Sequence, residues 1–346
     1  MSKVKSLLWG DGRKRKSMID NKKSSILLIL KVLEEYSDEE HYLTQQDIIN
    51  KIKELYGLEL ERKSVAFSLN LLQDLDYDIN KSPRGGYALL SRLFDNSEIR
   101  FMMDALFSLK SISGKQVIKL SKKLNSGLSK YQRKDYDFIY KSEDIARSDN
   151  KELFYVLDTI EEAKRKGKRI SFQYLSYDKN GKTYVKRNGY RYIVSPYFSV
   201  NSNSRYYLIC NYREKYHNIQ SFRIDQITNI KIEDEWDIKP LESLKDLKDF
   251  NITKYLNENI YLLPGEVITA SIELENESTI QYVIDWFMDN VKISNKDGVI
   301  TAKIRCNENA LFYWCMQYSE TIKVVSPKSL VDRIKKEAQS ILKKYQ

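Results

Sequence analysis

Two strand-like stretches lie close together in the middle of the chain, Ser204 to Tyr212 (SRYYLICNY) and Gln220 to Ile227 (QSFRIDQI). They put tyrosine rings and the guanidinium of Arg223 within a short span. A ring that stacks on a base contributes about 1 to 3 kcal/mol, and an arginine gives phosphate a charge-assisted, often bidentate contact. An anionic, ring-containing ligand suits both, either a nucleotide or a single-stranded nucleic acid. Side chains alternate faces along a strand. Arg223 and Asp225 are therefore expected opposite Phe222 and Ile224, and Tyr206 and Leu208 opposite Tyr207 and Ile209. If the two strands are neighbours, a tyrosine and an arginine flank one groove, with Tyr206 and Arg223 the first candidates. The same residues also fit a structural reading, with tyrosines in the core and Arg223 paired to Asp225. Arg187, Arg191, Arg205 and His217 are further candidates that equally fit solvated charges.

The charge distribution singles out the same region. The 346 residues carry a formal charge of +10. Residues 151 to 232 hold 16 basic and 7 acidic side chains, a net +9, whereas 1 to 95, 96 to 150 and 233 to 346 carry +1, +4 and −4. A generally basic surface would spread the excess, so the middle segment is the expected site for a polyanion or a phosphorylated ligand.

Catalysis finds little support. The two histidines, His41 and His217, are in no metal-ligand spacing, and no nucleophile elbow, P-loop or glycine-rich dinucleotide turn is present. Asp285 and Asp289 share a helix face at i and i+4, as a solvated face would. The expectation is a protein that is not an enzyme, with no cofactor, no metal site and no catalytic residue. Three cysteines, Cys210, Cys306 and Cys315, match no zinc or redox spacing and read as buried thiols in a reducing compartment. No 18-residue apolar run and no secretory signal are seen, so no membrane is involved and a cytoplasmic location is expected.

At this length two or three domains are expected. Residues 1–23, with Arg13 to Lys16 in a row, read as a basic flexible arm. Residues 24–94 carry three helical patterns. The first has Ile26, Ile29, Leu30 and Leu33 at three- and four-residue spacing. The second is capped by Thr44 with Asp47 and stopped by Gly57, and the third runs from about Glu61 to Leu75 with Val65, Leu69 and Leu72 inward. A hairpin around Pro83, Gly85 and Gly86 follows. Three short helices and a hairpin describe a winged helix-turn-helix, whose third helix enters the major groove of duplex DNA while the hairpin tip touches the backbone or the minor groove. The expected donors are Arg62, Lys63, Ser64 and Ser68 on the outward part of the third helix, and Lys81 and Arg84 on the wing. The nearly neutral total predicts modest affinity per monomer, which favours a homodimer on an inverted repeat.

Residues 95–165 read as a helical connector. From Arg169 the period switches to two, and residues 166–235 read as a small, bent antiparallel barrel. Residues 236–264 look like a linker, and 265–346 follow a βαββαβ order, a ferredoxin-like α+β unit. The fold class is multi-domain α+β.

The barrel segment resembles the WYL domain, a ligand-sensing module of bacterial transcription regulators. The resemblance rests on Tyr206-Tyr207-Leu208 for the name-giving tripeptide and Ile170-Ser171-Phe172-Gln173-Tyr174 for the opening strand. Val194-Ser195-Pro196-Tyr197 matches the central strand, and Phe222-Arg223-Ile224-Asp225-Gln226-Ile227 the closing one. The winged helix before it and the extension after it match the family's three-part order, which implies a C-terminal WCX-type domain. The resemblance implies an Sm/SH3-like barrel with Tyr174 and Ser195 facing the pocket, and a regulator of phage-defence or DNA-damage genes. Tyr206 stands for the usual Trp, and Gln226 for the usual arginine of the closing motif. The reading from this sequence is a ligand-responsive regulator that binds operator DNA as a dimer. The other is a single-stranded RNA- or DNA-binding accessory protein of a defence effector.

Overall fold

The helical patterns become helices where the caps and apolar spacings place them. A computed structural model describes residues 24–136, 148, 150–212, 219–244 and 250–346. The basic arm and His217 lie outside them. The chain divides into two compact units, Met1–Leu109 with Ser113–Arg147, and Lys110–Ile112 with Ser148–Gln346.

In the first unit, α1 (Ser25–Tyr36), α2 (Gln45–Tyr56) and α3 (Arg62–Asp74) surround one core. The buried stripe of α1 is Leu28, Ile29, Val32 and Leu33, so the helical period holds while the inward face is shifted from the expected one. Helix α2 opens on a reciprocal capping box in which the Asp47 backbone N–H donates to Thr44 Oγ1 at 3.2 Å and the Thr44 N–H to Asp47 Oδ2 at 2.9 Å. It ends at Gly57, in the left-handed region at φ 69°. Thr44→Ala is expected to lower the opening free energy of the α2 amides by about 1 kcal/mol, read by hydrogen exchange on the full chain. Val65, Leu69 and Leu72 of α3 close the core as expected.

A two-stranded hairpin follows, β1 (Ile79–Lys81) and β2 (Tyr87–Leu89), with Ile79 opposite Leu89. Gly86 is required at its base, because a Cβ there would sit 2.7 Å from Tyr42 Cβ. Helices α4 (Asn96–Ser108) and α5 (Gly114–Asn125) pack into the same unit. Arg92 ties the parts together, donating from Nη1 to the Glu34 and Gly127 carbonyls at 3.1 Å and from Nη2 to that of Ser37 at 2.7 Å.

The second unit begins with α6 (Leu153–Lys166), whose buried residues Leu153, Val156, Ile160 and Ala163 follow the helical period. A curled antiparallel sheet follows, formed by β3 (Lys168–Tyr177), β4 (Thr183–Val185), β5 (Tyr192–Ser202), β6 (Arg205–Tyr212), β7 (Gln220–Arg223) and β8 (Ile227–Asp237). Its order is β4-β3-β5-β6-β7, and β8 pairs with β3. Register shifts in the β3–β8 and β5–β6 pairs bend the strands. Inside the curl, the rings of Phe172, Tyr174, Tyr192 and Phe222 meet at centroid distances of 5.3 to 6.4 Å.

Helix α7 (Ile252–Glu258) leads to a four-stranded antiparallel sheet of β9 (Val267–Leu274), β10 (Val291–Lys296), β11 (Val299–Asn307) and β12 (Ile322–Ser326), in the order β10-β11-β9-β12. Helices α8 (Thr279–Phe287), α9 (Glu308–Gln317) and α10 (Lys328–Lys344) complete it around Trp314 and Phe287. The whole is a mixed α+β protein with several sheets. Among the described residues no helix is long and apolar enough to cross a membrane. All three cysteines are buried and unpaired; burial pushes the Cys306 and Cys315 thiols up to about 12 and Cys210 higher still. They serve as small apolar residues.

Candidate functional site

The pairing of β6 with β7 sets the site. Tyr207 lies directly opposite Arg223, and Leu208 opposite Phe222. Cross-strand partners share a face, so Tyr207 is the tyrosine on Arg223's side. Arg205, two residues before Tyr207, is on that side too. The strand stops at Arg223, and Ile224–Gln226 forms a 3-10 turn, pinned where Asn150 Nδ2 donates to the Asp225 and Ile227 carbonyls at 3.0 and 2.9 Å. Arg223 and Asp225, expected on one face, do lie on one side, and the turn sets the Asp225 carboxylate against the guanidinium.

Arg223 Nη2 donates to Asp225 Oδ2 at 2.6 Å and Nε to Oδ1 at 3.1 Å, while Arg205 Nη1 lies 3.7 Å from the same Oδ2. The Asp225 side chain is 1% exposed, against 25% for Arg223 and 32% for Arg205. The carboxylate is thus the buried hub and the guanidiniums face outward. Burial works to lower the Arg223 pKa, but the bond to Asp225 more than reverses it, and the net shift is upward. Tyr174 accepts from the Arg223 backbone N–H at 3.0 Å; burial pushes its hydroxyl up to about 12. Burial also raises the Tyr207 pKa, against the pull of Arg223 and Arg205. Two arginines against one aspartate leave a net positive charge with guanidinium donors to spare, next to neutral phenol rings. Such a group can take an anion and stack a ring.

The other expected ligand residues lie elsewhere. Tyr206 is on the opposite face from Tyr207, and its backbone N–H donates to Ser111 Oγ at 2.8 Å; alternation from Arg223 selects Tyr207 instead. Ser195 is buried, with its Oγ accepting from the Lys239 N–H at 2.9 Å. It lines a separate cleft of about 790 Å³, shared with Arg169, Arg191, Trp236 and Lys239. Arg191 is engaged structurally, with Nη2 donating to Ser171 Oγ at 2.6 Å and to the Asn229 carbonyl at 3.0 Å. Arg187 is exposed, with its guanidinium 5.8 Å from the Tyr192 ring. Sequence reasoning missed Tyr207; the Arg223–Asp225 pair it offered as the structural alternative is present, and what it missed there is that Arg205 shares the carboxylate. The parity of Tyr207 and Arg223 would have disclosed the first only with the register known.

In the first unit, Arg62 and Lys63 are exposed at the start of α3 and Ser64 is half-buried. Arg62 Nη2 is 3.4 Å from Gln46 Oε1. Ser68 is a correction: it is buried, not outward, because position 68 falls three residues after Val65 and beside Leu69 on the inner stripe. Lys81 and Arg84 are exposed on the hairpin, with Lys81 Nζ 5.8 Å from the Tyr87 ring centroid.

Comparison with known proteins finds two domain matches and similar solved structures. Residues 155–232 match the family model of the WYL domain, from α6 through most of β8, and residues 266–342 match that of the WCX domain. No curated protein matches the chain. Among solved structures, it is similar to proteasome accessory factor B/C of Arthrobacter aurescens at 16% identity and a TM-score of 0.29, over 94% of this chain and 49% of that one. The chain thus spans about half the length of that relative. It is also similar to a CRISPR Cas-related protein at 15% identity and a TM-score of 0.38, over 93% of this chain and 84% of that one. The chain thus contains a WYL domain over its curled sheet and a WCX domain after it.

Proposed function

We propose that the protein is a ligand-responsive bacterial transcription regulator and not an enzyme. The observation that carries this reading is the convergence of Arg205, Arg223, Tyr174 and Tyr207 on the buried Asp225 within a WYL domain. The curled sheet acts as an Sm/SH3-like sensing barrel, and the phosphate of a nucleotide or single-stranded nucleic acid competes with Asp225 for the two arginines. The three helices and hairpin of the first unit act as a winged helix-turn-helix, and a homodimer reads an inverted repeat in operator DNA. Arg62, Lys63, Ser64, Lys81 and Arg84 supply its contacts, while Ser68 supports the helix from inside. The C-terminal sheet, with its first strand between the third and fourth, acts as a ferredoxin-like WCX domain. A ligand with different affinity for the two arrangements of the dimer shifts their populations. On the resemblance, the genes controlled are those of phage defence or DNA damage.

Footprinting on the upstream promoter tests the duplex half. The full chain is expected to protect an inverted repeat, and Arg62→Ala with Lys63→Ala to weaken binding about tenfold and lower the salt slope by about 2. Protection that survives the double change unaltered would remove α3 from the interface. The charge distribution favours one other reading, a single-stranded nucleic-acid-binding accessory protein, because the middle segment carries +9 and the first 95 residues only +1. Single-strand binding by the full chain with no duplex footprint would establish it instead.

A further inference from the structure

Helix α3 turns an apolar stripe to solvent. Val65, Ser68, Leu69 and Leu72 face the core. On the other side Phe67, Leu71 and Leu75 follow one another at i, i+4 and i+8, exposed to 69%, 36% and 58%. Apolar surface left in water forgoes about 25 cal/mol per Å², so a row of this kind is best covered by another.

The two ends of the stripe say what that cover is. Lys63 stands one turn before Phe67 and Asp74 one turn after Leu71, so the face carries a cation at its N-terminal end and an anion at its C-terminal end. Both are exposed, and among the described residues neither side chain has a hydrogen bond or ion pair. A face with this pattern is complementary to itself run backwards. A twofold axis level with Leu69 sets Phe67 against the partner's Leu71. It also sets Lys63 level with the partner's Leu75, one residue rise, about 1.5 Å, from the partner's Asp74. The methylenes of Lys63 then cover the partner's Leu75 while the ammonium reaches the carboxylate. Symmetry makes each contact twice. Parallel pairing would instead set lysine on lysine and aspartate on aspartate.

We propose that α3 pairs antiparallel with α3 of a second copy of this chain, through Phe67, Leu71 and Leu75 and two Lys63–Asp74 ion pairs. One pair of helix faces is smaller than the interface of about 1,600 Å² that stable complexes bury, which suits a reversible contact. The pairing goes beyond the duplex-binding reading and does not need it. Where α3 also enters a groove, the second copy and the duplex compete for one face, and the paired form is the one that cannot bind DNA.

Asn70→Cys in the full chain tests the pairing, because position 70 is exposed beside the proposed axis and the native cysteines are buried. A short bismaleimide should join two such chains, and adding Phe67→Ser, Lys63→Asp or Asp74→Lys should each slow the joining about tenfold. Lys63→Asp together with Asp74→Lys should restore the rate, since the exchanged charges meet again. Joining no faster than in the wild type, or no recovery with the exchanged charges, would overturn the proposal. Upstream promoter duplex added to Asn70→Cys separates the two readings. Suppressed joining supports competition for α3, whereas joining that persists at high duplex concentration leaves the pairing intact and takes α3 out of the groove.

Discussion

Arg223→Ala is expected to lower the unfolding free energy of the second unit by about 3 kcal/mol. The carboxylate of Asp225 is 1% exposed and takes two hydrogen bonds from that guanidinium. Removing one partner of a buried pair leaves an uncompensated charge and costs about 3 to 5 kcal/mol. Arg205, 3.7 Å from Oδ2, offers partial compensation, which places the loss at the low end of that range. Combining Arg223→Ala with Asp225→Asn should restore at least about 1 kcal/mol, because a buried amide costs less than a buried carboxylate. Chemical denaturation followed by tryptophan fluorescence reports mainly on this unit, since three of the four tryptophans, Trp236, Trp286 and Trp314, belong to it. A loss under about 1 kcal/mol, or no recovery in the double variant, would mean that Asp225 is not the hub described.

Arg205→Ala is expected to weaken binding of a short fluorescein-labelled oligothymidylate by about 30-fold, near 2 kcal/mol, with little change in stability. The reason is geometric. Arg223 is committed to Asp225 by a two-point contact, so its replacement perturbs fold and ligand together. Arg205 stands farther from the carboxylate and is a third exposed, so it reports on the ligand more cleanly. Asp225→Asn should act in the opposite sense and tighten binding about tenfold, since the anion no longer competes with a carboxylate for the guanidiniums. Fluorescence anisotropy at fixed salt measures both. Equal affinities for the wild type, Arg205→Ala and Asp225→Asn would place the anion elsewhere, with the cleft beside Ser195 and Trp236 the next place to look.

The parts of the fold that were legible in the sequence are those set by local chemistry. The Thr44–Asp47 box and Gly57 fixed both ends of α2, and the spacing of Val65, Leu69 and Leu72 gave the inward face of α3. The phase of α1 was less legible. Its sequence offers apolar residues over much of the circumference, and packing on α2 and α3 chose Leu28 and Val32 over Ile26 and Leu30. Ser68 was misplaced because a small polar residue on an otherwise apolar stripe reads as outward until the core closes over it.

The sequence establishes most helices and strands and the charge excess of the middle segment, and it puts Arg223 beside a tyrosine of the SRYYLICNY stretch only on the condition that the two strands are neighbours. Tertiary structure alone decided which tyrosine. Strand alternation is a rule of period two, so a single step in register exchanges the faces, and the β6–β7 register appears only when the two strands pair in the folded sheet. Tertiary structure also added the second cation: the strand leaves β7 through a 3-10 turn at Ile224, Arg223 and Asp225 stay on one side as alternation places them, and the pairing of β6 with β7 brings Arg205 to the same carboxylate. A site read as an arginine beside an aromatic ring is therefore, in three dimensions, two arginines held by a buried aspartate, with Tyr207 in the place the sequence offered to Tyr206.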